Sequence, residues 1–144
     1  MKREQIRQLL PHREPMLLLD ELELHGGAAV GRYQVRGDEF FLQGHFPGNP
    51  IVPGVILCEM LAQTACVLVD QEEAKGRVPV YTGIDQVRFR APVRPGDRIE
   101  TSCRIVREKR PFYFINGSVY VGGKACVTAS FSFALARQEA QEEA

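Results

Sequence analysis

Apolar and polar residues alternate along the last third of the chain. From residue 127 to residue 135 every second position is apolar, and the positions between hold Thr, Ser or Ala. A period of two places successive side chains on opposite faces of a strand. With turns at residues 94–97 and 122–123, the pattern predicts the strands 79–91, 98–108, 112–121 and 124–136. Near the N-terminus it predicts a short helix over 4–10 and strands over 16–24 and 28–36.

A different pattern follows Pro53 and Gly54. No Pro or Gly interrupts the chain from there to Val69, and apolar residues fall on nearly every face of a helix drawn through this stretch. Proline suits the first turn of a helix, because its missing N–H would have no partner there. A helix that is apolar all round is a buried helix.

One long apolar helix and about six mostly antiparallel strands predict an α+β domain in which a curved sheet wraps the helix. We expect a single domain over residues 1–144, with a frayed tail at 138–144. Because one sheet cannot enclose a helix on all sides, a partner subunit is expected to cover the rest.

Composition narrows the functional classes. The 144 residues are 44% apolar and 25% charged, as in one ordinary globular domain. Basic and acidic residues number 18 each, which gives no electrostatic reason to expect nucleic acid or an anionic membrane as partner. The charged N-terminus and the lack of a run of roughly 20 apolar residues favour a cytoplasmic protein. The four cysteines lie far apart, so we expect reduced, packed thiols and neither a metal site nor disulfides.

Residues 37–52 hold three glycines and two prolines among aromatic residues, which is typical of a shaped loop. His45 lies in this loop between Gly44 and Phe46. A histidine in a loop is often structural or merely exposed, but a positioned imidazole can accept a proton near neutral pH.

Glu59 stands among apolar residues of the predicted buried helix. A buried carboxylate needs a partner or becomes protonated, so Glu59 is either a hydrogen-bonded interface carboxylate or a general acid. Gln63 follows four residues later on the same face, where its amide can orient the carboxyl group, cap or simply pack.

Gly54 begins the same helix. Its N–H has no intrahelical acceptor, and the absent side chain allows a substrate to approach, so this N–H can polarise a carbonyl; alternatively the glycine only permits the turn. Glu59 lies roughly 9 Å along the axis from the helix start, whereas His45 precedes that start. Contact within one chain is therefore awkward, and a twofold-related subunit would complete the site more simply.

Five segments together resemble the 3-hydroxyacyl-[acyl-carrier-protein] dehydratase family known as FabZ. They are residues 10–20 (LPHREPMLLLD), 44–55 (GHFPGNPIVPGV), 59–63 (EMLAQ), 83–89 (GIDQVRF) and 92–97 (PVRPGD). The resemblance implies the hot-dog fold, with dimers that commonly assemble three at a time. It also implies a substrate held on acyl carrier protein and no cofactor.

The same resemblance implies the roles of three residues. His45 of one subunit would remove a proton from C2 while the Gly54 N–H holds the thioester carbonyl. Glu59 of the other subunit would protonate the departing C3 hydroxyl, giving a trans-2-enoyl thioester in fatty-acid biosynthesis; whether one residue serves as both acid and base stays open. The related FabA branch, which also isomerises the double bond, carries Asp in place of Glu59.

Two positions depart from the FabZ pattern. The family often has Tyr-Phe where this chain has Val80-Tyr81, so an aromatic that gates the acyl tunnel is displaced and acyl length is not predicted. Glu14 replaces the usual Tyr or Phe between Arg13 and Pro15, with no evident consequence for the chemistry.

Docking of an acidic carrier protein requires a basic rim. The candidates are Arg88, Arg90, Arg94 and Arg98, although alternating arginines on a strand usually form a solvated face. Two other functions are compatible with the fold: a thioesterase that uses the helix carboxylate and water, and a non-catalytic acyl-binding subunit. The joint presence of His45 and Glu59 disfavours the second.

Overall fold

The computed structural model describes residues 1–138, which form three α-helices and six strands. The helices are α1 (Arg3–Leu9), α2 (Gly54–Ala65) and α3 (Gln71–Ala74). The strands are β1 (Glu21–His25), β2 (Ala28–Gln34), β3 (Arg77–Phe89), β4 (Arg98–Lys109), β5 (Phe112–Val121) and β6 (Lys124–Arg137). Of the tail predicted to fray, only residue 138 is described; residues 139–144 lie outside the described residues.

The six strands form one antiparallel sheet in the order β1-β2-β4-β5-β6-β3. Register shifts in the β3–β6, β4–β5 and β5–β6 pairs interrupt the ladder, and such irregularities increase strand twist. Helix α2 packs against β2, β4, β5 and β6, so the core lies between the helix and the sheet. The predicted α+β hot-dog arrangement of about six strands is confirmed.

The predicted strand over 16–24 is wrong in its first half, because β1 begins only at Glu21. Between Met16 and Leu18 the backbone bonds to a side chain of α2: the Leu18 N–H donates to Gln63 Oε1 at 2.9 Å, and Gln63 Nε2 donates to the Met16 carbonyl at 2.7 Å. This segment therefore crosses the helix as irregular chain, and strand pairing starts after it.

Helix α2 begins at Gly54, within the predicted stretch, and its α-helical part ends at Ala65, before a short 3-10 turn at Cys66–Leu68. One protomer does not bury it on every side. The Val55 side chain is 74% exposed, and Ile56, Glu59 and Ala62 are partly exposed. The sheet of one protomer thus leaves one side of the helix open, as the argument for a partner subunit requires.

The four cysteines are free thiols, and burial raises the pKa of each; they are Cys58, Cys66, Cys103 and Cys126. Within residues 1–138, no cluster of His, Cys, Asp or Glu side chains has the arrangement of a metal site. No helix in this part of the chain has the length and apolar character needed to cross a membrane.

Candidate active site

His45 is held in a loop whose own backbone fixes the imidazole. The His45 N–H donates to the Leu42 carbonyl at 3.1 Å, and the Ile51 N–H donates to the His45 carbonyl at 2.8 Å. The ring nitrogen Nδ1 lies 2.8 Å from the Ile51 carbonyl oxygen. A carbonyl only accepts, so Nδ1 carries the proton and a neutral ring has its lone pair on Nε2. The ring also stacks on Phe46, with centroids 4.3 Å apart.

Glu39, which sequence reasoning missed, anchors the start of this loop. It is buried, and its carboxylate accepts from the Arg36 N–H at 3.0 Å, the Gly37 N–H at 2.7 Å and the Tyr33 hydroxyl at 2.8 Å. Burial opposes ionisation of Glu39, but these hydrogen bonds outweigh it and hold the pKa of Glu39 below its ordinary value. Burial, followed by the hydrogen bond to Glu39, raises the pKa of Tyr33.

Gly54 lines the same cavity as His45, a cleft of about 510 Å³. As the first residue of α2 its N–H has no intrahelical acceptor. A Cβ at this position would lie 2.5 Å from Cε1 of Phe89, so a larger residue here would displace the exposed Phe89 ring. Close packing of Phe89 and a carbonyl-binding role are compatible, because both depend on close approach to the backbone.

Glu59 and Gln63 are in direct contact, as the four-residue spacing predicts. Gln63 Nε2 donates to Glu59 Oε2 at 2.9 Å, and Gln63 is completely buried. The Glu59 side chain keeps 24% of its surface exposed. It lines a second cavity, of about 250 Å³, together with Val80 and Tyr81 of β3.

Val80 and Tyr81, the pair that departs from the FabZ sequence pattern, both line this second cavity. Val80 is 49% exposed, whereas the Tyr81 hydroxyl donates to the Cys58 carbonyl of α2 and its ring packs edge to face on Phe131. Desolvation raises the pKa of Tyr81. The side chain beside Glu59 that remains open to solvent is therefore a small aliphatic one.

His12 is a second residue that the sequence analysis did not identify. Its Nε2 lies 3.3 Å from Glu59 Oε2, and its side chain is 20% exposed. The sequence signal was present, since His12 belongs to the segment 10–20 that carries the family resemblance. Its link to Glu59 depends on the crossing of that segment over α2, which no local pattern reveals.

His45 and Glu59 line different cavities of one protomer. This separation agrees with the expectation that contact within one chain is awkward.

The four arginines considered as docking candidates do not gather around one cavity. Arg88 and Arg90 line a polar groove on the sheet with Arg104, and Arg90 also reaches the His45 cavity. Arg94 donates to Asn49 Oδ1 at 2.8 Å, next to the His45 loop, whereas Arg98 lines a separate groove. Of the four, Arg90 and Arg94 are the two beside the site.

Comparison with known proteins agrees with these features. The FabA-like domain matches residues 10–130. A protein of Alkaliphilus metalliredigens named 3-hydroxyacyl-[acyl-carrier-protein] dehydratase FabZ is 44% identical, over 91% of each chain. A protein of the same name from Clostridium beijerinckii is 41% identical, over 91% of this chain and 96% of the relative.

Solved structures show the same fold at low sequence identity. A chain of the dehydratase heterocomplex ApeI:P from Xenorhabdus doucetiae has a TM-score of 0.78 and 21% identity, and the match covers 92% of this chain and 91% of that one. A hypothetical thioesterase from Streptococcus pneumoniae, solved with coenzyme A, has a TM-score of 0.61 and 15% identity, covering 83% and 88%. Fold alone therefore does not separate dehydratase from thioesterase. The match to the family over residues 10–130 and the identity to full-length relatives establish that this chain belongs to the FabA-like family, among its FabZ members.

Proposed function

We propose that this protein dehydrates (3R)-3-hydroxyacyl groups on acyl carrier protein to trans-2-enoyl groups in fatty-acid biosynthesis. The hydrogen bond from His45 Nδ1 to the Ile51 carbonyl carries the proposal, because it orients an imidazole whose Nε2 can accept a proton. The relatives named 3-hydroxyacyl-[acyl-carrier-protein] dehydratase FabZ support the choice of substrate.

The proposed reaction begins at His45, where Nε2 takes a proton from C2 of the acyl chain. Negative charge then develops on the thioester oxygen. The Gly54 N–H borders the same cavity and would donate to that oxygen, and the positive end of the helix dipole adds to the stabilisation.

Glu59 completes the elimination in this proposal. The C3–O bond breaks as the carboxyl group transfers its proton to the departing hydroxyl, which leaves as water. Gln63 donates to Oε2 and so holds the carboxyl group in place. The proton taken by His45 and the one given by Glu59 balance, so that one water leaves for each substrate.

A homodimer would bring the two cavities together. Strand β3 is an edge of the sheet, and it exposes Val80, Ile84 and Phe89. Exposed apolar side chains on an unpaired edge favour pairing with another chain. The opposite edge, β1, carries Glu21 and Glu23 and is less suited to self-association.

The direction of β3 determines which residues of the two protomers would meet in the dimer. Phe89, at the end of β3, borders the His45 cavity, and Val80, near its start, borders the Glu59 cavity. Twofold pairing of two β3 edges is antiparallel, so the end of one strand would face the start of the other. His45 of one protomer would thereby approach Glu59 of its partner.

Arg90 and Arg94 are the proposed contacts for the acidic carrier protein, because Arg90 lines the His45 cavity and Arg94 binds Asn49 of the loop that carries His45. The trimer of dimers and the cytoplasmic location implied by the family resemblance and the sequence belong to the proposal as well. Light scattering of the purified protein measures how many chains the oligomer contains.

The test is turnover of 3-hydroxyacyl carrier protein, with enoyl product followed by mass. Wild type and the His25→Ala control, which changes an exposed histidine of β1, should form enoyl product. His45→Ala and Glu59→Gln should lose most of their kcat, by about 100-fold or more. Release of free carrier thiol without enoyl product would instead support a thioesterase, and absence of any turnover would support an acyl-binding subunit.

A further inference from the structure

The proposed mechanism leaves one contact of the acidic residue unused. His12 Nε2 lies 3.3 Å from Glu59 Oε2, the same oxygen that accepts from Gln63. Among residues 1–138 we find no hydrogen bond to the other oxygen, Oε1. We propose that His12 is a positioning residue that, together with Gln63, holds Oε2 so that Oε1 carries the reaction; this inference rests on the proposed function.

The orientation of the Gln63 amide follows from its other partners. Its oxygen accepts from the Leu18 N–H at 2.9 Å, and its nitrogen donates to the Met16 carbonyl at 2.7 Å. A flipped amide would point its NH₂ group at the Leu18 N–H donor and its oxygen at two acceptors, the Met16 carbonyl and Glu59 Oε2. The NH₂ group therefore faces Glu59 and occupies one lone pair of Oε2.

The tautomer of His12 follows from the second ring nitrogen. Nδ1 is buried and has no hydrogen-bond partner among the described residues. A proton on Nδ1 would be a buried N–H without an acceptor, which costs more free energy than an unused lone pair. The proton of a neutral His12 therefore belongs on Nε2, the nitrogen that faces Glu59 Oε2 at 3.3 Å.

The chain on either side of His12 keeps the ring at this place. The Arg13 guanidinium donates to the carbonyls of Leu10 at 2.9 Å and of His12 at 2.7 Å, which ties the backbone into a turn. Leu10 is buried in a small apolar cluster under α1, so the turn is fixed to the core. The imidazole thus reaches Glu59 from a rigid segment and not from a free loop.

A carboxyl group held at one oxygen can present only the other to a ligand. Loss of the His12 donor would leave a single contact, from Gln63, and the carboxyl plane could then rotate. Productive geometry for proton transfer would be populated less often, while binding of the acyl chain would change little. The effect should therefore fall on kcat and not on KM.

Three variants test the inference. His12→Leu removes the donor at similar size, and His12→Gln keeps an N–H at the same number of bonds from Cα. His25→Leu is the matched control at an exposed histidine. We expect kcat of His12→Leu to fall about 10-fold to 100-fold with KM within about twofold, and kcat of His12→Gln to stay within about threefold of wild type.

A double variant separates positioning from general damage to the fold. In a Glu59→Gln background, His12→Leu should lower kcat by less than about twofold, because the group that it positions is already gone. Equal losses for His12→Leu and His12→Gln, or full additivity in the double variant, would overturn the inference.

Crystal structures of wild type and the His12→Leu and His12→Gln variants supply a readout that does not depend on turnover. We expect Glu59 Oε2 within 3.3 Å of the residue-12 donor in wild type, a comparable contact in His12→Gln, and a rotated carboxyl group in His12→Leu. An unchanged carboxyl group in His12→Leu would refute the positioning role. If wild type showed no dehydratase turnover, the proposed function would be refuted. The crystal structures would still test whether His12 positions the Glu59 carboxyl group.

Discussion

Replacement of Gln63 by Met should destabilise the protein and lower its activity together. Met matches the length of Gln and removes every polar atom, so the change isolates the hydrogen bonds. In wild type the buried amide accepts from the Leu18 N–H and donates to the Met16 carbonyl and to Glu59.

The expected loss of stability depends on whether each hydrogen-bond partner of Gln63 can bind water once the amide is removed. The Leu18 N–H is buried, and leaving it unpaired costs about 1–3 kcal/mol. Met16 is 39% exposed and Glu59 partly exposed, so water can replace much of what they lose. We expect the free energy of unfolding to fall by about 2–4 kcal/mol, which is large for one side chain.

The assay is urea unfolding followed by circular dichroism at a fixed protomer concentration, because association of subunits adds to apparent stability. Gln71→Met is the matched control: Gln71 is exposed, and among the described residues its side chain donates to the Val69 carbonyl alone, so its loss should change the free energy of unfolding by less than about 0.5 kcal/mol. A Gln63→Met variant as stable as the control would show that the hydrogen bonds of the buried amide do not stabilise the fold.

Three further predictions concern other parts of the molecule. Glu39→Gln should lower the free energy of unfolding by about 1–3 kcal/mol at pH 7. The pKa of Glu39 in the folded protein lies below its usual 4.5, so wild type loses this extra stability as the pH falls below 4.5. Unfolding measured from pH 7 to pH 3 should therefore show the stabilities of the two proteins converging. A pH-independent gap would contradict this. Gly31→Ala should cost about 1–3 kcal/mol in the same urea assay, because the new Cβ would lie 2.5 Å from Thr101 Oγ1 and 2.8 Å from Thr64 Oγ1; wild-type stability would be the opposing result. Arg90→Gln should lower kcat/KM for carrier-linked substrate more at low than at high salt, and leave a short thioester without carrier protein unaffected; equal losses on both substrates would argue against docking at Arg90.

The sequence predicted the strands that local pattern determines, and it misplaced a strand whose start depends on a contact between distant residues. The strand over 112–121 agrees with β5 at both ends, because its period and the turns beside it are local features. The strand over 16–24 began too early, because Gln63, 45 residues from Leu18, takes over the backbone partners there. A contact over that distance leaves no trace in a short window.

The candidate site shows the same division. The contact between Glu59 and Gln63 was predictable, since residues four apart on a helix share a face. His12 and Glu39 were missed because each acts on the site through a partner distant in sequence or through loop backbone. The assignment of His45, Gly54 and Glu59 to one reaction rested on the family resemblance and not on spacing alone.

If one active site draws His45 and Glu59 from two protomers, as we propose, activity must return in oligomers that mix the two inactive variants. His45→Ala and Glu59→Gln chains are each nearly inactive alone; they are unfolded together in equal amounts, refolded and assayed for enoyl product. Random pairing should leave about a quarter of the sites with both native residues, so we expect about a quarter of wild-type kcat to return. A mixture no more active than the two separate variants would contradict a shared site.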